Sequence, residues 1–149
     1  MKVVNTLPDI AKTRTKTANY PLQWVGMEDI AVPLTLNVSD GKQQSVAAKA
    51  NVYVSLDDAT EKGIHMSRLH AIINQLANQV CDKNGLDLLL ENMISSQGAI
   101  SRSAKINLAF DLLLPKASLL SNKTGFQTYQ VEISGERLND SGNYSLKIT

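Results

Sequence analysis

At 149 residues, with 15 Lys and Arg against 14 Asp and Glu and a formal net charge of +1, the chain lacks the basic footprint of a nucleic-acid binder or of a helix that lies on a membrane. That length fits one domain, burying about two thirds of its unfolded surface around a single core. Cys81 is the only cysteine, which excludes an internal disulfide and a cysteine-based structural zinc site. No apolar run reaches a membrane span and Met1 to Tyr20 lacks the core of a secretion signal, so a soluble cytoplasmic protein is expected, with neither nucleic acid nor membrane as partner.

Residues 1–22, with Pro8, Pro21 and the tract Thr13-Arg14-Thr15-Lys16-Thr17, read as a mobile lead segment whose Leu7 and Ile10, together with Trp24, are free to dock on a neighbour. Residues 23–149 then read as one module. Ile30, Val32, Leu34, Leu36 and Val38 alternate with polar or small residues as a half-buried strand does, and Pro33 removes one ladder donor, which suggests an edge or a bulge. Ser39-Asp40-Gly41-Lys42 turns the chain, and Val46, Ala48, Ala50, Val52, Val54 and Leu56 bring it back as a β-hairpin. The helical period runs from Met66 to Cys81, breaks at Asp82-Lys83-Asn84-Gly85 and resumes from Leu86 to Ile94. After Gly98 the period returns to two, in Ile106 to Leu114 ending at Pro115, in Tyr129, Val131 and Ile133, and after the turn Asn139-Asp140-Ser141-Gly142 in Tyr144, Leu146 and Ile148. The order ββααββ with an extra C-terminal strand predicts an α+β fold, an antiparallel sheet with two helices on one face. The last strand runs to Thr149 without a turn signal, so the module is expected to be truncated at its C-terminal end.

The most informative stretch is Lys62-Gly63-Ile64-His65-Met66-Ser67-Arg68, which sets an imidazole, a hydroxyl and a guanidinium at the junction of a strand and a helix. Two readings apply. In one it is a capped helix start, with Gly63 at positive φ and Ser67, Asp57 or Asp58 satisfying open amides. In the other it is a ligand-facing lip. Complete catalytic sets are absent from the residues: His65, His70 and Cys81 are too far apart to share one ion, with about 24 Å of helix between His65 and Cys81. No serine sits in a nucleophile elbow, and no glycine loop suits phosphate. Asp57-Asp58 and the pair Glu132 and Glu136 read as solvated charge rather than acid–base couples.

The run from Lys62 to Arg68, the strand Val52-Tyr53-Val54-Ser55-Leu56 before it, and Val25-Gly26-Met27 followed by Pro33 together resemble the N-terminal half of type IB GTP cyclohydrolases. The likeness extends more loosely through Ser101-Arg102 and Thr128-Tyr129-Gln130-Val131. It implies a tunnelling-fold-like module and an enzyme that hydrolyses GTP to 7,8-dihydroneopterin triphosphate and formate in folate and pterin biosynthesis. It also implies a divalent metal, zinc or manganese, in the complete enzyme. The family's Cys-Pro-Cys-Ser segment, with its metal-binding cysteine, has no counterpart in this chain, so the resemblance transfers no metal ligand and the chain alone is expected to be inactive. Active sites of the family lie between subunits, which implies that Arg68, Ser67, His65 and Lys62 contact the substrate's triphosphate or ribose across such an interface. Arg68 suits phosphate best, because a guanidinium matches its oxygens bidentately. The alternative is a non-catalytic tunnelling-fold module that self-associates; in either case a homo-oligomer built through open sheet edges is expected.

Overall fold

Alternating apolar and polar residues sort the side chains of a strand onto two faces, and here the sorted faces decide where the helices lie. The computed structural model describes residues 2–5, 23–39, 41–57, 64–117, 123–138 and 141–149. Along them run β1 (Lys2–Asn5), β2 (Trp24–Asn37), β3 (Gln43–Ser55), α1 (Met66–Asn74) with a 3-10 continuation over Gln75–Asn78, α2 (Lys83–Ser96) with a 3-10 turn over Gly98–Ile100, β4 (Ser103–Ala117), β5 (Thr124–Leu138) and β6 (Ser141–Ile148). The strands make one six-stranded antiparallel sheet in sequential order. The fold is α+β.

Val32, Leu34, Ala50, Val52, Ile106, Leu108 and Val131 point to one face and pack there against Leu69, Ile73 and Leu76 of the first helical segment and Leu89, Leu90 and Met93 of α2. Burying each of the larger side chains contributes about 1.5–3 kcal/mol, which is what holds the helices to the sheet. On the other face Ala31, Ala47, Lys49, Asp111 and Glu132 are exposed.

The hairpin between β2 and β3 turns as its residues dictate, with Gly41 at φ 73° and the Lys42 amide donating to the Ser39 carbonyl at 2.9 Å; Asp40 lies outside the described residues. Pro33 pairs with Ala47 of β3, and β1 reaches only Val25 to Glu28, so among the described residues β2 is an edge at the proline. The bulge falls elsewhere, between Met27 and Ile30, where Asp29 takes φ 60° and its amide is held by the Asn51 side chain at 2.9 Å.

Residues 2–5 of the lead segment form β1, which pairs with Val25–Glu28, while residues 6–22, including Leu7 and Ile10, lie outside the described residues. Three expectations need correction. The first helix does not reach Cys81: it tightens after Asn74, ends at Asn78, and Gln79 is extended, because Val80 bridges to Thr35 and the Cys81 amide donates to the Thr35 carbonyl at 2.8 Å. The second helix starts at Lys83 rather than Leu86, since Asp82 acts as N-cap and its carboxylate accepts the Gly85 amide at 2.7 Å. Pro115 does not end β4, which runs on to Ala117 with Pro115 opposite Phe126.

Candidate functional site

The end of β3 and the start of β4 are tied together by side chains rather than by the sheet ladder alone. The Ser55 hydroxyl, fully buried, donates to Asp57 Oδ2 at 2.6 Å and accepts the amides of Arg102 at 3.1 Å and Ser103 at 3.0 Å. Asp57 Oδ2 also accepts the Arg102 amide at 2.7 Å, and the Asp57 amide donates to the Ile100 carbonyl at 2.7 Å. Asp57 is therefore not a cap of the helix that follows; its carboxylate is spent on the neighbouring strand. Asp58 lies outside the described residues.

Above this corner α1 begins. Ile64 and Met66 pack on Val25, Leu56 and Ile100, which seats the helix start against the strand ends and turns His65, Ser67 and Arg68 to the exposed side. The N-cap is His65, at φ −85° and ψ 87°, and its side chain makes no capping bond. Ser67 does not cap either, since it already lies inside the helix. The cap comes from α2: Gln97, 1% exposed, accepts the His65 amide through Oε1 at 2.6 Å and donates from Nε2 to the His65 carbonyl at 3.3 Å. A glutamine does this locally in a capping box, three residues into the helix; here it arrives from 32 residues away. The adjacent Ser96 carbonyl accepts Arg68 Nη1 at 3.2 Å.

Of the four residues singled out in the sequence, the structure gathers His65, Ser67 and Arg68 at one exposed helix start, while Lys62, like Gly63, lies outside the described residues. Arg68 has one donor engaged and further guanidinium N–H groups for a partner. The first amides of any α-helix lack intrahelical acceptors and carry a partial positive charge, so an anion brought to this lip meets backbone dipole, hydroxyl and guanidinium together. Gln97 and Ser96 were not singled out. Their only sequence signal is the polar run Ser95-Ser96-Gln97 before Gly98, which reads as an ordinary helix end.

Elsewhere, Lys105 Nζ stands 4.4 Å from the Trp24 ring centroid and 5.2 Å from that of Tyr53, so Trp24 is held by its own sheet. Tyr53 donates to Glu28 Oε2, and burial, with that bond and the charges of Glu28 and Asp29, pushes its phenol up to about 12. Cys81 is buried, and desolvation followed by the charge of Asp82 pushes its thiol up to about 11. Its place is an extended segment beside β2, not the helix end expected. His70 Nδ1 lies 3.4 Å from the side-chain Nδ2 of Asn74, one turn along α1. Among the described residues no group of three or more His, Cys, Asp or Glu is arranged to hold a metal ion, and no helix is long and apolar enough to cross a membrane.

Comparison with known proteins places this arrangement in context. Residues 7–149 match the family described as type I GTP cyclohydrolase folE2. Relatives named GTP cyclohydrolase FolE2 include one from Hahella chejuensis, 75% identical over all 149 residues and covered over 49% of its own length. One from Pseudoalteromonas atlantica is 42% identical over 97% of this chain and 47% of its own, and one from Xanthomonas axonopodis pv. citri is 39% identical over 88% and 43%. The chain spans about half the length of the curated relatives it matches.

Proposed function

Because the chain belongs to the type I GTP cyclohydrolase FolE2 family, we propose that it is part of a cytoplasmic type IB enzyme that hydrolyses GTP to 7,8-dihydroneopterin triphosphate and formate, and that its share of the work is to hold the triphosphate. The observation that carries this reading is the lip at the start of α1, where His65, Ser67 and Arg68 lie exposed at a helix start that the His65 side chain does not cap. Arg68 takes phosphate oxygens through the N–H groups left by its bond to Ser96, Ser67 donates a hydroxyl bond, and His65 orients the anion or passes a proton at its ring nitrogens. Lys62 is a further cation for the same anion, in a position outside the described residues.

In this reading the module is one tunnelling-fold unit, and the divalent metal, zinc or manganese, belongs to residues outside those of this chain. Such a metal activates water for attack on the purine ring. The described residues do not fit it, since no three donors converge. A homo-oligomer that joins sheet edges is part of the proposal: β6 pairs on one side with β5, and its Leu146 and Ile148 are 63% and 58% exposed. That same edge favours the second reading, a self-associating module without chemistry.

The two readings separate on ligand binding. Calorimetric titration of the purified protein with GTP and with inorganic tripolyphosphate is expected to show saturable binding, and Arg68→Ala to weaken it about 10- to 100-fold, the equivalent of a charge-assisted hydrogen bond of about 1.5–3 kcal/mol. Wild-type affinity in Arg68→Ala sinks the phosphate role; self-association with no binding of GTP or tripolyphosphate supports the second reading.

A further inference from the structure

We propose that Gln97 is a positioning residue for the triphosphate lip, acting through the backbone of His65; the proposal rests on the phosphate-binding reading of His65, Ser67 and Arg68. A glutamine that is 1% exposed is unusual in a position where an apolar side chain of similar volume would pack as well. What the amide adds is bonding in two directions to a single residue. Oε1 takes the His65 N–H at 2.6 Å, and Nε2 gives to the His65 carbonyl at 3.3 Å, so both the place and the direction of the chain are set where α1 begins. The same Nε2 donates to Ser96 Oγ at 2.9 Å, and that hydroxyl in turn donates to the Met93 carbonyl at 2.7 Å, which ties the clamp to the body of α2.

The clamp does what the local sequence does not. His65 brings no capping bond of its own, and a helix start without a cap frays within the first turn, the turn that carries Ser67 and Arg68. Ser96 reinforces it by accepting Arg68 Nη1 through its carbonyl at 3.2 Å. Residues 96 and 97 thus hold both the backbone that presents the amides and the guanidinium that faces the anion. A displacement of the reacting or binding groups by even about 1 Å is costly to a preorganised site.

The test uses the intact gene product, with inorganic tripolyphosphate and GTP as the probes in calorimetry and thermal unfolding followed in parallel. Gln97→Ala is expected to weaken binding roughly tenfold. Gln97→Glu keeps the volume but, when ionised, loses the donor to the His65 carbonyl and to Ser96. Protonated, it regains one donor, enough for the His65 carbonyl though not for Ser96 as well, and burial raises the pKa of such a carboxyl. Its Kd relative to wild type at the same pH is therefore expected to fall from roughly tenfold near pH 8 to within about twofold near pH 5.5. Should Gln97→Ala not fold, the pH profile of Gln97→Glu decides alone. A merely structural role would lower the unfolding temperature and leave the ratio of Kd values flat with pH. Wild-type affinity in the folded Gln97 variants, with binding weakened in Arg68→Ala, overturns the inference; wild-type affinity in Arg68→Ala as well overturns the phosphate reading beneath it.

Discussion

Ser55→Ala removes the hydroxyl that joins the end of β3 to the start of β4. The Ser103 amide loses its acceptor at 3.0 Å inside the protein, while the Arg102 amide keeps Asp57 as a partner at 2.7 Å. One orphaned buried donor costs about 1–3 kcal/mol, and the bond from the hydroxyl to the Asp57 carboxylate is partly replaced by water because Asp57 is exposed. The net expectation is a loss of about 2 kcal/mol. For a domain of this length that lowers the unfolding temperature by about 4–8 °C. Equilibrium urea unfolding should show a lower midpoint with an unchanged slope, since the same surface is exposed in both proteins. Asp57→Ala completes a double-mutant cycle: the bond between the Ser55 hydroxyl and the Asp57 carboxylate is lost in either single variant, and the Arg102 amide that loses both acceptors belongs to an exposed residue, so the double variant should lose less than the sum of the single losses, by about 0.5 kcal/mol or more. A Ser55→Ala protein within about 0.5 kcal/mol of wild type, or strict additivity in the cycle, refutes the view that this hydroxyl holds the strand junction.

Gly26→Ala should destabilise by about 3 kcal/mol or more, measured by urea unfolding, because a Cβ there overlaps the Val52 carbonyl oxygen and β2 and β3 would have to part. Tyr144→Phe should leave stability unchanged or raise it by up to about 1 kcal/mol, since the Tyr144 hydroxyl is buried without a partner among the described residues; a clear loss in thermal unfolding would show that it has one. Cys81 gives a pH dependence with a definite sign. Its thiol is pushed from 9.0 to about 11 in the folded protein, so the unfolded chain ionises first and stability falls as pH rises from about 9 to about 11, by a few kcal/mol at most. Cys81→Ala should fall less steeply than wild type when the two proteins are unfolded in urea across this range, keeping only the part that the raised Tyr53 phenol contributes, and equal slopes would refute it.

By itself the sequence determined strands β2 to β6, the two helical segments, the hairpin turn and the helix start where His65, Ser67 and Arg68 gather, because these depend on contacts between residues a few positions apart. Alternation in Ile30 to Leu36 and Ala48 to Val54 is a period of two whatever lies beyond. His65, Ser67 and Arg68 share one helix start for the same reason, and Gly41 takes positive φ because the turn around it is local. The length of the first helix was not legible, since a parallel bridge to Thr35 claims Val80 and Cys81 against their helical period. Nor was the use of Asp57, whose carboxylate serves an amide 45 residues along the chain instead of the helix beside it. Gln97 is the plainest case. Nothing near it in the sequence requires a buried amide, and only the packing of α2 against the start of α1 brings His65 within 2.6 Å. Tertiary structure decided these points because a hydrogen bond between distant residues leaves no periodic trace: its partners are chosen by how the helices close on the sheet.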